Sequence, residues 1–279
     1  QAEDVLRVRG GGLSAWQTPA QPFDCGSSAT SLRLLAGALA ASGLPAVLDG
    51  SPGLRRRPMG RILEPLRQMG VNIQAAPGDT APLTLHSRSF HQPLSHLDYT
   101  LPVASAQVKS CLLLAALAAD GVTTLSEPGP SRDHTERMLR TMGVQVESAL
   151  VGSQWITRLV PPAPLRLSPL NVALPGDLSA AAFLIVAALI TPGSEVRLCN
   201  VGLNPTRTGL LDVLERMGAN IEILPNPIFR SSQRGESGGV QAESLPAIHP
   251  PAHPYDEPSG DLLVRHSRLQ AVNISGPLV

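Results

Sequence analysis

One phrase occurs three times in this chain and limits its fold more than any other feature. Arg67-Gln68-Met69-Gly70-Val71-Asn72-Ile73 returns as Arg140-Thr141-Met142-Gly143-Val144-Gln145-Val146, and again as Glu215-Arg216-Met217-Gly218-Ala219-Asn220-Ile221. The intervals are nearly equal. Upstream of each copy lies a second echo: LLAGALAASG ending at Gly43, LLLAALAADG at Gly121 and LIVAALITPG at Gly193. Two landmarks in the same order three times define a repeated structural unit.

Each unit reads alike. A small polar cluster opens an almost wholly apolar helix, over about 30–42, 107–120 and 179–191. Apolarity all round predicts a helix buried on every side. Glycine ends it, and strands follow at Ala46–Asp49, Thr123–Ser126 and Glu195–Cys199. A more polar second helix then stops at the Met-Gly phrase, where a core methionine precedes a left-handed cap. Alternating strands such as Val71–Gln74 and Val144–Glu147 come next. Val5–Val8 and Asp261–Arg265 read as closing strands, which would make the chain start and stop at unit junctions. The start Gln1-Ala2-Glu3, without methionine, reads as that of an excised or incomplete chain. Leu165–Pro175, with its proline-rich flanks, is the expected hinge. Residues 225–260, rich in Pro, Ser, Gly and Glu, read as a loop insertion.

Composition narrows the function. Aromatic residues are 3% of the chain, so Leu, Val, Ile and Ala must build the core, and 22 basic residues balance 22 acidic ones. That balance argues against nucleic acid held by bulk charge. Any anion site must be local. No apolar run reaches the length of a membrane span, and the opening residues do not read as a signal peptide. Cys111 and Cys199 lie in apolar runs and read as core residues; Cys25, beside a glycine turn, reads the same way with reactivity as the alternative. Three unclustered cysteines suggest a reducing, cytoplasmic setting and no metal site. The histidines of 225–260 are too loosely spaced to alter that.

Arginines stand at the start of each second helix: Arg57, Arg132 and Arg207. A cation there opposes the helix dipole. A solvated charge or a local salt bridge, such as Arg132 with Asp133, explains a single case. Threefold recurrence favours an anion shared between guanidinium and free backbone N–H groups. The first helices open with Ser27-Ser28-Ala29-Thr30, Ser105-Ala106-Gln107 and Asp177-Leu178-Ser179, ordinary capping residues. Gln107 and Lys109 at the start of a buried helix ask for more than capping. These readings together describe a binder of a small, multiply anionic ligand.

The same segments carry a resemblance. LPVASAQVKSCLLLAALAADG and EPGPSRDHTERMLRTMG resemble the signature of the 5-enolpyruvylshikimate-3-phosphate synthase family, as do GSPGLRRRPMGRILEPLRQMG, LNVALPGDLSAAAFLIVAALITPGSEV and NPTRTGLLDVLERMGANIEIL. The resemblance implies an α/β fold of repeated βαβαββ units, an inside-out α/β barrel. It would give two units of a first domain over 1–172 with a leading strand, and one unit of a second over 173–279. It implies transfer of a carboxyvinyl group from phosphoenolpyruvate to shikimate 3-phosphate, with no cofactor. By motif match, Ser105, Ala106, Gln107 and Arg132 would hold shikimate 3-phosphate. Arg57, Gln107, Ser27 and Ala29 would line the phosphoenolpyruvate pocket, and Asp177 would lie at the interdomain crossover. The family's Asn-Ser-Gly-Thr or Asn-Ala-Gly-Thr reads Ser27-Ser28-Ala29-Thr30 here; the alanine resembles the feature of glyphosate-tolerant members. The family's acid and base residues would fall outside 1–279, so the chain alone is expected to turn over little without a complementing fragment. The alternatives are a binding fragment or pseudoenzyme of this family, and UDP-N-acetylglucosamine enolpyruvyl transferase.

Overall fold

The computed structural model describes residues 6–12, 15–89, 91–225 and 257–274. Val5 and most of the expected insertion at 225–260 lie outside them. Two compact units result: residues 1–130 with 142–168, and residues 131–141 with 169–279.

The first unit writes one pattern twice. β1 (Phe23–Asp24) pairs in parallel with β2 (Ala46–Asp49), which pairs antiparallel with β4 (Thr80–Leu85), and β4 with β3 (Ile73–Ala76). The second sheet follows suit, with β5 (Asp98–Thr100), β6 (Thr123–Glu127), β8 (Gln154–Val160) and β7 (Gln145–Val151) in the order β5-β6-β8-β7. Helix α1 (Ala29–Ser42) crosses from β1 to β2, and α4 (Ala106–Ala116) from β5 to β6. The short α2 (Pro52–Arg55), then α3 (Gly60–Gln68), leads to β3. Leu32, Ala36, Cys111, Leu112 and Leu113 are fully buried where α1 and α4 pack. Their approach is close because α1 offers Gly37: a Cβ there would stand 2.1 Å from the carbonyl oxygen of Cys111.

The second unit repeats the pattern once. α6 (Leu178–Ile190) leads to β9 (Glu195–Gly202), then α7 (Gly209–Arg216), β10 (Asn220–Pro225) and β11 (Ser259–Arg265), with sheet order β10-β11-β9. A parallel bridge from Gly176 to Val201 stands where β1 pairs with β2. The helix α5 (His134–Thr141) belongs to this unit as well. The Met-Gly glycines all adopt left-handed backbone, φ 86° at Gly70, 89° at Gly143 and 85° at Gly218, which a side chain would oppose.

Several expectations change. The apolar helix over 107–120 ends at Ala116, and Gly121 does not cap it. Leu6–Val8 form no strand. Of the Met-Gly methionines, Met69 alone is fully buried; Met142 and Met217 are half-buried. Cys199 is exposed, because strand alternation turns it to the outer face of β9. α6 is not buried on every side. Leu178, Ile185, Ala188 and Leu189 pack on the sheet with Leu262 and Val264, while Phe183 is 80% exposed and Leu184 and Ile190 are open too. In the first unit α1 and α4 cover one another; among the described residues of the second, α6 has no apolar helix beside it.

Candidate functional site

In the first unit the helix starts converge. Ser28 caps α1, its Oγ accepting from Ser31 N, and Ser105 caps α4. Gln107, in the first turn of α4, donates from Nε2 to Thr30 Oγ1 at 2.8 Å and accepts from Arg33 at Oε1. Further along, Gly37 meets Cys111. The two helices therefore run side by side in the same direction, with both N-termini at one end. Their free N–H groups and positive dipole ends add there, an arrangement that favours an anion. Arg33, Arg57 and Arg61 increase the positive charge. Burial, and then the neighbouring cations Arg61 and Arg57, lower the pKa of Arg33. Beneath the start of α4, Glu127 accepts from Ser105 N at 2.8 Å and pairs with Lys109 Nζ at 3.0 Å, with both side chains inaccessible. Ala106 opens α4, and Ala29 is buried at the start of α1. Ser27 Oγ lies 3.1 Å from Ser51 Oγ, and the exposed Arg57 sits three residues before α3 rather than in its first turn. Cys25 is buried, and burial followed by Asp24 and Asp49 raises its thiol pKa; burial takes Cys111 up to about 12. Neither is a ready nucleophile.

In the second unit, Arg132, His134, Asp177, Asn204, Arg207 and Glu257 are among the residues lining a cavity of about 330 Å³. Asp177 caps α6 through Ser179 N, and Arg207 donates to Asp177 Oδ1 at 2.9 Å and to Ser179 Oγ. Arg207 is thus held by a local salt bridge, which is the simpler of its two sequence readings. The alternative Arg132–Asp133 pair does not form: Asp133 takes Arg137 Nε at 2.9 Å and Asn204 Nδ2 at 2.7 Å. That leaves the Arg132 side chain facing the cavity. The structure therefore brings Gln107, Ser105 and Ala106 to the α1 side of the first unit, and Arg132 and Asp177 to one cavity of the second.

A sequence profile of the EPSP synthase family (3-phosphoshikimate 1-carboxyvinyltransferase) matches residues 1–254. The chain belongs to the EPSP synthase family. A 3-phosphoshikimate 1-carboxyvinyltransferase of Synechococcus sp. is 46% identical over 277 residues, covering 99% of this chain and 56% of that protein. One from Acidithiobacillus ferrooxidans is 45% identical over 278 residues, covering 98% and 55%. The chain thus spans about half the length of the curated relatives it matches. Among solved structures, an EPSP synthase from Acinetobacter baumannii superposes with a TM-score of 0.73 at 38% identity, covering 95% of this chain and 53% of its own. The enolpyruvyl transferase NikO from Streptomyces tendae, at 18% identity and a TM-score of 0.55 over 86% of this chain and 48% of its own, shares the fold. Among the described residues, no helix is long and apolar enough to cross a membrane, and no group of three or more His, Cys, Asp or Glu is placed to hold a metal.

Sequence reading missed two residues that contact these helix starts. Arg33 went unremarked, although a lone charge inside an apolar helix is the same signal that drew attention to Lys109. Glu127 went unremarked because nothing local shows that a strand end will lie beneath a helix start. Asp133 gives a pH prediction. Burial raises its pKa, but hydrogen bonds from Arg137 and Asn204, with the charges of Arg137 and His134, outweigh that and hold it below its ordinary value. The resulting stability is complete above the unfolded value of about 3.9 and is lost as pH falls through the folded one. In urea titrations from pH 6 downward, Asp133→Asn is expected to flatten the acid limb of midpoint against pH. An unchanged limb would refute this.

Proposed function

We propose that the chain carries the substrate-holding part of an enzyme that transfers the carboxyvinyl group of phosphoenolpyruvate to shikimate 3-phosphate, releasing phosphate. The observation that carries this reading is the paired start of α1 and α4, joined by the Gln107–Thr30 hydrogen bond beside three arginines. Two parallel helix dipoles and several guanidiniums in one place repel each other unless an anion joins them. Both substrates are small, multiply charged anions. The named relatives support the substrate pair and give no support to the UDP-N-acetylglucosamine alternative.

In this reading Ser105, Ala106 and Gln107 hold shikimate 3-phosphate through helix-start N–H groups and the Gln107 amide, and Arg132 is an anion-holding candidate in the second unit's own cavity. Arg57, Ser27, Ala29 and Gln107 border phosphoenolpyruvate. Asp177 holds Arg207 and contributes less directly to the ligand. The domain division at 172/173 and a cytoplasmic setting belong to the same proposal. So does a complementing fragment, for which the open apolar face of α6 offers a surface.

Calorimetric titration tests the reading. Shikimate 3-phosphate is expected to bind the purified chain, and Gln107→Ala to weaken it by about tenfold or more. Heat indistinguishable from buffer dilution would overturn it. Ala29 bears on glyphosate tolerance: its methyl occupies space that glycine leaves free. Ala29→Gly should tighten glyphosate by about tenfold while changing phosphoenolpyruvate less, because removing one clash is worth roughly 1–3 kcal/mol. Equal changes for the two ligands would rule out the steric explanation.

A further inference from the structure

Arg33 is the one charged residue of α1, and its guanidinium serves two acceptors at once. Nη1 donates to Gln107 Oε1 at 2.5 Å, Nη2 donates to Pro58 O at 3.1 Å, and Nε is buried with no partner among the described residues. A half-buried arginine with an unmet donor is costly, so packing alone is a poor reason to keep it. Nor does an ion pair account for it: the charged side chains acting on it most are Arg61 and Arg57, which are cations.

What Arg33 does have is an effect on Gln107. The two ends of a glutamine amide have opposite hydrogen-bonding character, and only a neighbour of fixed character settles which way it faces. Guanidinium is donor-only. Gln107 must therefore turn Oε1 toward Arg33, and its Nε2 then reaches Thr30 across the two helix starts. One of the two Nε2 protons is committed to Thr30, and the other has no partner among the described residues.

We infer that Arg33 is a positioning residue: held by Pro58 O and by its place on α1, it sets the Gln107 amide so that its remaining N–H serves the anion at the start of α4. This rests on the reading of that helix start as an anion site. Lysine cannot replace the arginine here, since one ammonium on a flexible stem does not reproduce a planar fork that meets two acceptors.

The test follows the Gln107 side-chain amide by nitrogen–proton NMR, assigned from its absence in Gln107→Ala. In the unmodified chain its two protons should be well dispersed and slow to exchange. In Arg33→Lys and Arg33→Met they should move to the values of a free glutamine and exchange quickly, with the backbone fingerprint intact. Arg158→Lys, an exposed change on β8, should alter nothing at Gln107. If Arg33→Met does not fold, Arg33→Lys decides. Unchanged Gln107 signals in a folded Arg33 variant would overturn the inference. A second arm measures shikimate 3-phosphate binding. Arg33→Met should weaken it by about tenfold, and the double variant with Gln107→Ala should be no weaker than Gln107→Ala alone. Additive losses would contradict the coupling. If the unmodified chain binds no shikimate 3-phosphate, the substrate assignment fails, while the NMR result still decides the positioning role.

Discussion

Replacing Glu127 by alanine is expected to cost about 3–5 kcal/mol of folding stability, the range for breaking a buried ion pair by removing one partner. The Lys109 side chain is fully buried and that of Glu127 is 1% exposed, so water cannot replace the lost carboxylate. The same change removes the acceptor of Ser105 N, at the start of α4. The loss should therefore appear twice, as a lower urea midpoint and as a looser Ser105–Gln107 segment in hydrogen exchange. Lys109→Met combined with Glu127→Leu should recover a large part of the stability, because apolar replacements avoid the desolvation cost of both charges. The exchange protection at Ser105 should not return with it. A loss below about 1 kcal/mol in Glu127→Ala would show that the pair is more hydrated than its burial indicates.

Gly37→Ala gives the second large effect, and here two principles predict opposite signs. Inside a helix, alanine is better than glycine by roughly 0.5–1 kcal/mol, so propensity alone predicts a gain. The added methyl, however, would stand 2.1 Å from Cys111 O, 2.8 Å from its carbonyl carbon and 3.0 Å from its Cα. These are backbone atoms of a neighbouring helix and cannot turn aside as a side chain can. The helices must separate, giving up close packing over Leu32, Ala36 and Leu112 at a cost of about 1–3 kcal/mol or more. A net loss is expected in thermal or urea denaturation. The separation should also loosen the Gln107–Thr30 hydrogen bond, so shikimate 3-phosphate should bind more weakly even to the folded variant. A stability gain would mean that α1 and α4 are further apart than described.

Much of this architecture was legible because the repeat is written in apolar periodicity. Ala46–Asp49 is a strand with the expected bounds, and Thr123–Ser126 falls inside β6. Left-handed backbone at Gly70, Gly143 and Gly218 could be read from the Met-Gly phrase because it follows from local sterics. What could not be read depends on neighbours distant in sequence. Apolarity around α6 showed that it needs cover, but not how much of that cover the described residues supply. Cys199 sat in an apolar run, yet period two sends it outward. Arg207 and Asp177 stand thirty residues apart in the chain, and only the fold shows that they neutralise each other. Ser105, Ala106 and Gln107 were legible as a polar opening to a buried helix. Their dependence on Arg33 and Glu127, from another helix and a strand end, was not.

The central claim is that the paired starts of α1 and α4 receive a phosphorylated substrate. Residue-resolved NMR of the chain titrated with shikimate 3-phosphate tests it most directly. The largest shifts are expected at the backbone amides of Ala106 and Gln107 and at the Gln107 side chain, with smaller ones at Thr30. Saturable shifts confined to surfaces away from 105–107, or none at all, would contradict it.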